Sequence, residues 1–192
     1  MNFVYPLTKK TDINKVTLFL KKHHSEVYAD YWEFALQTPL RISDILEIKF
    51  SDLVVEGKDK KIRVKESKTK KAEYVFLNPV SEKIFEKRRK QFPNDIFLFE
   101  SSWRKYKNNT QQLHMPLTRA AVQKVLSDTG AALGFTLSPH VTRKTRAWFL
   151  YEQTNDLALV QHMLNHTHSS VTLRYLGLTE QSKKDTYRDL VL

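Results

Sequence analysis

The chain is expected to be an α+β domain, mainly α, holding one small three-stranded antiparallel sheet. Three observations predict this. Amphipathic stripes with helical spacing fill both ends of the 192 residues. Between them, residues 53–77 change to three short β-type runs parted by turns. Only 4 Gly and 6 Pro are present, and they fall at the breaks between these segments.

Taken in order, Thr11–Asp12 can cap a helix with Ile13, Val16 and Leu20 on its apolar side. Ser25 can cap a second, with Val27, Tyr31, Phe34 and Ala35 in a stripe, until Pro39 interrupts it. A short helix with Ile42, Ile45, Leu46 and Ile48 follows. Leu53–Glu56, Lys61–Glu66 and Glu73–Leu77 read as strands. Asn78–Pro79 starts a helix to about Phe92, stopped by Pro93–Asn94. Ile96–Phe99 is short and apolar, and Trp103 to Leu113 reads as a polar, basic loop. Pro116 is expected to open a helix to Leu133, closed at Gly134. Ser138–Pro139 opens the next, from His140 to Tyr151. Asn155 or Asp156 caps Leu157–Leu164, and Ser169 or Ser170 caps a short helix through Tyr175. An amphipathic tail begins at Thr179.

Composition narrows the function. Lys and Arg number 32 against 21 Asp and Glu, a net charge of +11. That surplus points to a polyanionic partner, with nucleic acid foremost. Hydrophobic residues at 41% suffice for a core. No apolar run reaches the length of a membrane span. Met1–Lys10 lacks the apolar stretch of a signal peptide. The chain has no cysteine, which excludes disulfides, a thiol nucleophile and Cys-ligated metals, and fits the cytoplasm.

Two segments carry the charge and the chemistry. From Lys58 to Lys71 there are eight Lys or Arg against Asp59 and Glu66. A hairpin tip this basic can contact phosphates, although lysines also shield ordinary sheet edges. Farther on, His140 and Arg143 stand three apart at a helix start and so share a face. With the free N–H groups of the helix N-terminus they form a phosphate clamp. His162 and His166 have a spacing that can chelate zinc, and His168 is near, but no carboxylate completes a metal site.

The order of motifs resembles the tyrosine recombinases, the phage integrase family. The stretch Thr38-Pro39-Leu40-Arg41-Ile42-Ser43-Asp44-Ile45-Leu46 resembles its first arginine box, with Arg41 at the arginine and Asp44 at the acidic position. His140-Val141-Thr142-Arg143 resembles the second box. His166, 23 residues beyond Arg143, fits the family's Leu-Gly-His element, and Tyr175, nine further, fits the nucleophile. Lys68, in the turn after the second strand, looks like the catalytic lysine, with Lys65, Lys70 and Lys71 crowding the same turn. The likeness covers roughly Thr11 to Tyr187. The chain departs from the pattern at Pro39 and Asn165, which replace glycines, and at Lys144, where histidine is frequent.

The resemblance implies a helical catalytic domain of the tyrosine recombinase fold. It implies site-specific recombination of double-stranded DNA through a 3′-phosphotyrosine, by an integrase or invertase of a mobile element, with no cofactor or metal. Arg41 and Arg143 would hold the non-bridging oxygens. His140 and His166 would donate further hydrogen bonds, one of them taking the tyrosine proton. Lys68 would protonate the leaving 5′-oxygen, and Asp44 would orient an arginine or histidine. A type IB-like topoisomerase and a non-catalytic DNA-binding relative are the alternatives. Further DNA contacts are expected from Lys65, Lys70, Lys71, Arg104, Lys105 and Lys107, with Arg119 as another candidate. Residues 1–192 are expected to be one catalytic domain without a separate core-binding domain. Residues 1–40 would form its first helices, and the tail 179–192 would dock on a neighbour in a DNA-bound tetramer.

Overall fold

Helix α1 (Lys10–His23) begins one residue before Thr11, with Lys9 rather than Thr11 or Asp12 in the cap position; Asp12 lies in its first turn, where a carboxylate suits the helix dipole. Val16 and Leu20 face inward. Helix α2 (Glu26–Gln37) starts after Ser25 as expected, and buries Tyr31, Trp32 and Phe34 completely. It stops at Gln37, two residues before Pro39, and the chain runs extended through Thr38 into α3 (Ile42–Leu46). In this computed structural model, residues 4–65, 72–101, 106–107, 111–112, 114–176, 184 and 188–189 are described.

A 3-10 turn at Phe50–Asp52 leads into the sheet. Strands β1 (Leu53–Glu56), β2 (Asp59–Lys65) and β3 (Ala72–Phe76) pair antiparallel in sequence order. The register puts Leu53 opposite Ile62 and Ile62 opposite Val75, so one face carries the apolar side chains. Ile62 and Val64 on that face are buried, while Lys61 on the other lies over the exposed ring of Tyr74 at 4.7 Å. Gly57 turns β1 into β2 with φ at +61°, a conformation a side chain resists.

Helix α4 (Pro79–Gln91) opens on a reciprocal cap between Asn78 and Ser81. It is bound to α2 by buried Asp30, which pairs with Lys87 and with Arg88. Arg88 Nε also donates to the Leu98 carbonyl at 2.8 Å. Trp103–Leu113 is not a plain loop: it contains strands β4 (Tyr106–Lys107) and β5 (Gln111–Gln112), paired antiparallel. Pro116 does not open a helix either. It forms an isolated bridge with Glu100, and α5 (Arg119–Leu133) starts after Thr118, whose hydroxyl caps Ala121 N–H. Gly134 ends α5 in the left-handed conformation. Within α5 a Cβ at Gly130 would stand 2.5 Å from the Phe135 carbonyl, so the chain closes over a position that only glycine fits.

Helices α6 (Pro139–Thr154), α7 (Leu157–Met163) and α8 (Ser169–Leu176) complete the described chain. Asp156 supplies the α7 cap, accepting from Leu159 N–H at 2.9 Å. Two apolar clusters result. The large one gathers α1 to α5, the inner sheet face and the start of α6, around Trp32, Phe34, Phe85 and Phe99. The small one joins Ala147 of α6 to Val160, Leu164 and Leu176, with Trp148, Tyr151 and Tyr175 against it. Helices α7 and α8 thus hang on the second half of α6, as a satellite of the main core. Among the described residues no helix is long and apolar enough to cross a membrane. The tail from Thr179 lies outside the described residues except Lys184, Arg188 and Asp189.

Candidate active site

The satellite cluster places a tyrosine against a histidine. Thr172, Tyr175 and Leu176 share the inward face of α8, by helical spacing. Leu176 is buried among Ala147, Val160 and Leu164. Tyr175, half-buried, meets the His166 ring edge to face, with centroids 4.9 Å apart and planes at 78°. His166 is oriented from two sides. Its Nδ1 lies 3.1 Å from the hydroxyl of fully buried Thr172, and its backbone N–H donates to the Gln161 carbonyl at 3.1 Å. Asn165 makes that turn possible, with φ at +51°. Asparagine tolerates the left-handed region, so it can stand at the position of a glycine.

Helix α6 brings the other groups. Arg143 is 3% exposed, and its Nη2 donates to the Leu164 carbonyl, two residues before His166. The guanidinium therefore anchors the end of α7 while belonging to the main-core half of α6. His140, one turn earlier, stands at the helix start. Its pKa is held below the ordinary 6.5: the protein packed around the ring is the largest cause, followed by the positive charges of Arg119, Arg143, Lys144 and Arg41. Of these charged residues, Arg41 is half-buried at the start of α3 and Arg119 opens α5.

Arg41 stands where the chain enters α3, its carbonyl accepting from Asp44 N–H at 2.9 Å. Asp44 is 2% exposed, and its Oδ1 takes a 3.3 Å hydrogen bond from Ser43. Lys65 ends β2 and is exposed. Lys68, Lys70, Lys71, Arg104 and Lys105 lie outside the described residues, and Lys107 is described only as part of β4. His162 does not join His166. It lines a separate cleft with β3, Arg146 and Asn165, and among the described residues no group of three or more His, Asp or Glu could hold a metal ion.

Two neighbours of Tyr175 and His166 escape a reading by motif. Thr172 orients His166; its signal is its place three residues before Tyr175 on the same helix face. Lys144 lies over the Tyr175 ring at 5.3 Å, and spacing from Arg143 does not reveal that crossing.

The arrangement joins a phenol, an imidazole and a buried guanidinium at one helix junction, with positive charges acting on His140. It predicts a titration. The folded protein holds a proton on His140 less tightly than the unfolded chain does. Its contribution to stability is therefore present above pH 6.5 and lost as pH falls through the lowered folded value. An anion among the arginines should cancel their field, so His140 is expected to titrate below 6.5 in the free protein and at higher pH with duplex DNA bound. Ring-proton NMR across pH 4–8 (roughly the histidine range) would show both midpoints. A free-protein midpoint above the ordinary value would contradict this field.

Comparison with known proteins identifies the family and the fold. Residues 7–182 match the model of the phage integrase family. The chain is 30% identical over 190 residues to the probable integrase/recombinase YoeC of Bacillus subtilis (strain 168), covering 98% of this chain and 97% of that protein. The crystal structure of XerA recombinase superposes with a TM-score of 0.70 at 16% identity, over 97% of this chain and 65% of that one. A lambda integrase tetramer bound to a Holliday junction gives 0.68 at 19% identity, over 91% of this chain and 48% of the other. The mainly helical fold with its three-stranded sheet is thus the catalytic fold of these recombinases. The chain spans nearly all of the Bacillus relative, but about two thirds of the XerA chain and about half of the lambda integrase chain.

Proposed function

The chain belongs to the phage integrase family of tyrosine-type site-specific recombinases, and from that premise we propose that it cleaves and rejoins double-stranded DNA through a 3′-phosphotyrosine on Tyr175. The observation that carries this reading is the junction of α6, α7 and α8. There Tyr175 packs on His166, and Arg143 ties the His166 turn to the helix start bearing His140. The nucleophile and three electrophilic groups come from one chain: Tyr175 sits against the small cluster, and Arg143 reaches across to it from the main-core half of α6.

The reaction needs little else. The Tyr175 oxygen attacks phosphorus and gives its proton to His140 or His166. The bond from phosphorus to the 5′-oxygen breaks, and Lys68 supplies the proton that makes a 5′-hydroxyl. Arg41 and Arg143 bind the non-bridging oxygens and stabilise the charge that grows on them in the transition state. The phosphotyrosine keeps the phosphoester bond, so a 5′-hydroxyl from the same or another strand reverses the step and restores DNA. Asp44 orients the first arginine box from its buried place on α3. Lys65, Lys70, Lys71, Arg104, Lys105 and Lys107 supply phosphate contacts, which add salt-sensitive affinity without sequence information. The strand exchange is that of an integrase or invertase of a mobile element; the Bacillus relative is named a probable integrase/recombinase. The enzyme works on DNA as a homotetramer, as the lambda integrase structure suggests.

The test uses half-site duplexes from the flanks of the chain's own gene, made so that a short 5′-hydroxyl strand diffuses away after cleavage. A protein–DNA adduct that survives denaturation, mapped by peptide mass to the fragment with Tyr175, is the expected result. Exchange between two sites would then separate recombination from simple relaxation of supercoils. Tight binding without any adduct would overturn the reading in favour of a non-catalytic relative.

A further inference from the structure

Lys144 is a lysine in an unusual place. It is 8% exposed, in the middle of the α6 segment that carries Arg143. Its Nζ donates to the Val4 carbonyl at 2.6 Å. Next to it, the Thr145 hydroxyl accepts from the Leu7 N–H at 2.9 Å. The segment Val4–Leu7, before α1, is therefore laid across α6 by two hydrogen bonds to adjacent residues. From the same position, Nζ stands 5.3 Å from the centre of the Tyr175 ring. Lysine rarely gives up its water, and burial pushes this ammonium below its ordinary pKa. An aliphatic side chain would fill the space without that penalty.

We propose that Lys144 is a positioning residue for Tyr175, and that the segment Val4–Leu7 is the strap that holds its ammonium over the ring, so that the N-terminal segment governs the reactivity of the nucleophile. The inference rests on the reading of Tyr175 as the nucleophile. Its physics is specific. A cation is drawn to an aromatic face, and the attraction strengthens as negative charge spreads over the ring when the phenol loses its proton. Lys144 thus favours the attacking oxygen in cleavage and the departing one in rejoining. With His166 at the ring's other contact, the phenol is fixed between two neighbours. The Val4 carbonyl sets the direction of the ammonium. Without it, a lysine stem is long enough to swing its charge toward water.

The experiment is single-turnover cleavage of the half-site duplex by the full chain and five variants, one of them the deletion of residues 2–6 combined with Lys144→Met. Lys144→Met should cleave about ten- to thirty-fold more slowly, with DNA affinity within about two-fold of the parent. Lys144→Arg should recover most of the rate. Deleting residues 2–6 should slow the parent by a similar factor, but add little to Lys144→Met, because both changes remove one device. Lys144→Gln separates charge from tether. It keeps a hydrogen-bond donor without the charge, so it should be as slow as Lys144→Met, and it carries the comparison should Lys144→Met not fold. Parent-like cleavage by the Met and Gln variants would overturn the role of Lys144. A deletion and a Met substitution whose effects multiply would overturn the strap. No adduct from the parent chain would instead remove the nucleophile reading, and this inference with it.

Discussion

Tyr175→Phe is expected to bind DNA within about two-fold of the parent and to form no covalent adduct. The substitution removes one hydroxyl and keeps the ring. The ring supplies the packing: it leans on the satellite cluster, meets His166 at 4.9 Å and receives the Lys144 ammonium. Neither contact uses the phenolic oxygen. The melting transition should therefore move little, and His166 should keep its bond to Thr172. What is lost is the atom that bonds to phosphorus. Cysteine is absent from the chain, and the Thr172 hydroxyl is fully buried behind the imidazole. A denaturing gel beside a binding isotherm gives both numbers. An adduct persisting in the Phe variant would move the nucleophile to another tyrosine and with it the whole arrangement of α8.

Much of this architecture is legible from residue order, for physical reasons that differ between elements. The starts of α6 and α7 are local chemistry: Pro139 at the first helical position, and Asp156 bonding to a backbone N–H three residues on. The sheet is legible because β2 alternates, with Ile62 and Val64 set between Lys61, Arg63 and Lys65, and because Gly57 marks the turn before it. The pair β4–β5 is not, because two-residue strands of polar side chains carry no alternation to read. Pro116 misleads in an instructive way. A proline suits the first turn of a helix, but here its neighbours hold it opposite Glu100, with Ser101 N–H donating to the Met115 carbonyl and Leu117 N–H to the Phe99 carbonyl, and the Thr118 hydroxyl does the capping two residues later.

At the site, the order Arg41, His140, Arg143, His166, Tyr175 is visible in sequence, because each motif keeps its own spacing. What joins them is long-range and therefore hidden. Leu164 offers a carbonyl to a guanidinium 21 residues earlier, and Val4 offers one to an ammonium 140 residues later. Main-chain acceptors leave no mark in side-chain patterns. Asn165 shows the reverse case. Its departure from glycine is visible at once, but only the observed φ of +51° explains why asparagine serves there.

Arg143→Ala should lower the rate of adduct formation by about a thousand-fold, and the loss has two separable parts. The first is electrostatic. A fork of five N–H donors matches the oxygens of a phosphodiester, and its charge counts most where water is excluded. The second is mechanical. Arg143 is buried, and its Nη2 holds the Leu164 carbonyl at the end of α7. Removing it leaves that acceptor without its donor and loosens the turn that presents His166. Arg143→Lys keeps the charge but has no planar fork to serve phosphate and carbonyl together, so it should recover less than about ten-fold of the lost rate. DNA affinity should fall only a few-fold in either variant, since many other cations of a chain with net charge +11 share the backbone contacts. Hydrogen exchange distinguishes the two parts. Amides of residues 157–176 should exchange faster in Arg143→Ala, while those of α2 and α4, in the main core, should not change. An Ala variant that cleaves within ten-fold of the parent (about 1.4 kcal/mol of barrier) would mean that Arg143 serves the fold of the satellite alone, and that Arg41 and Arg119 carry the phosphate without it.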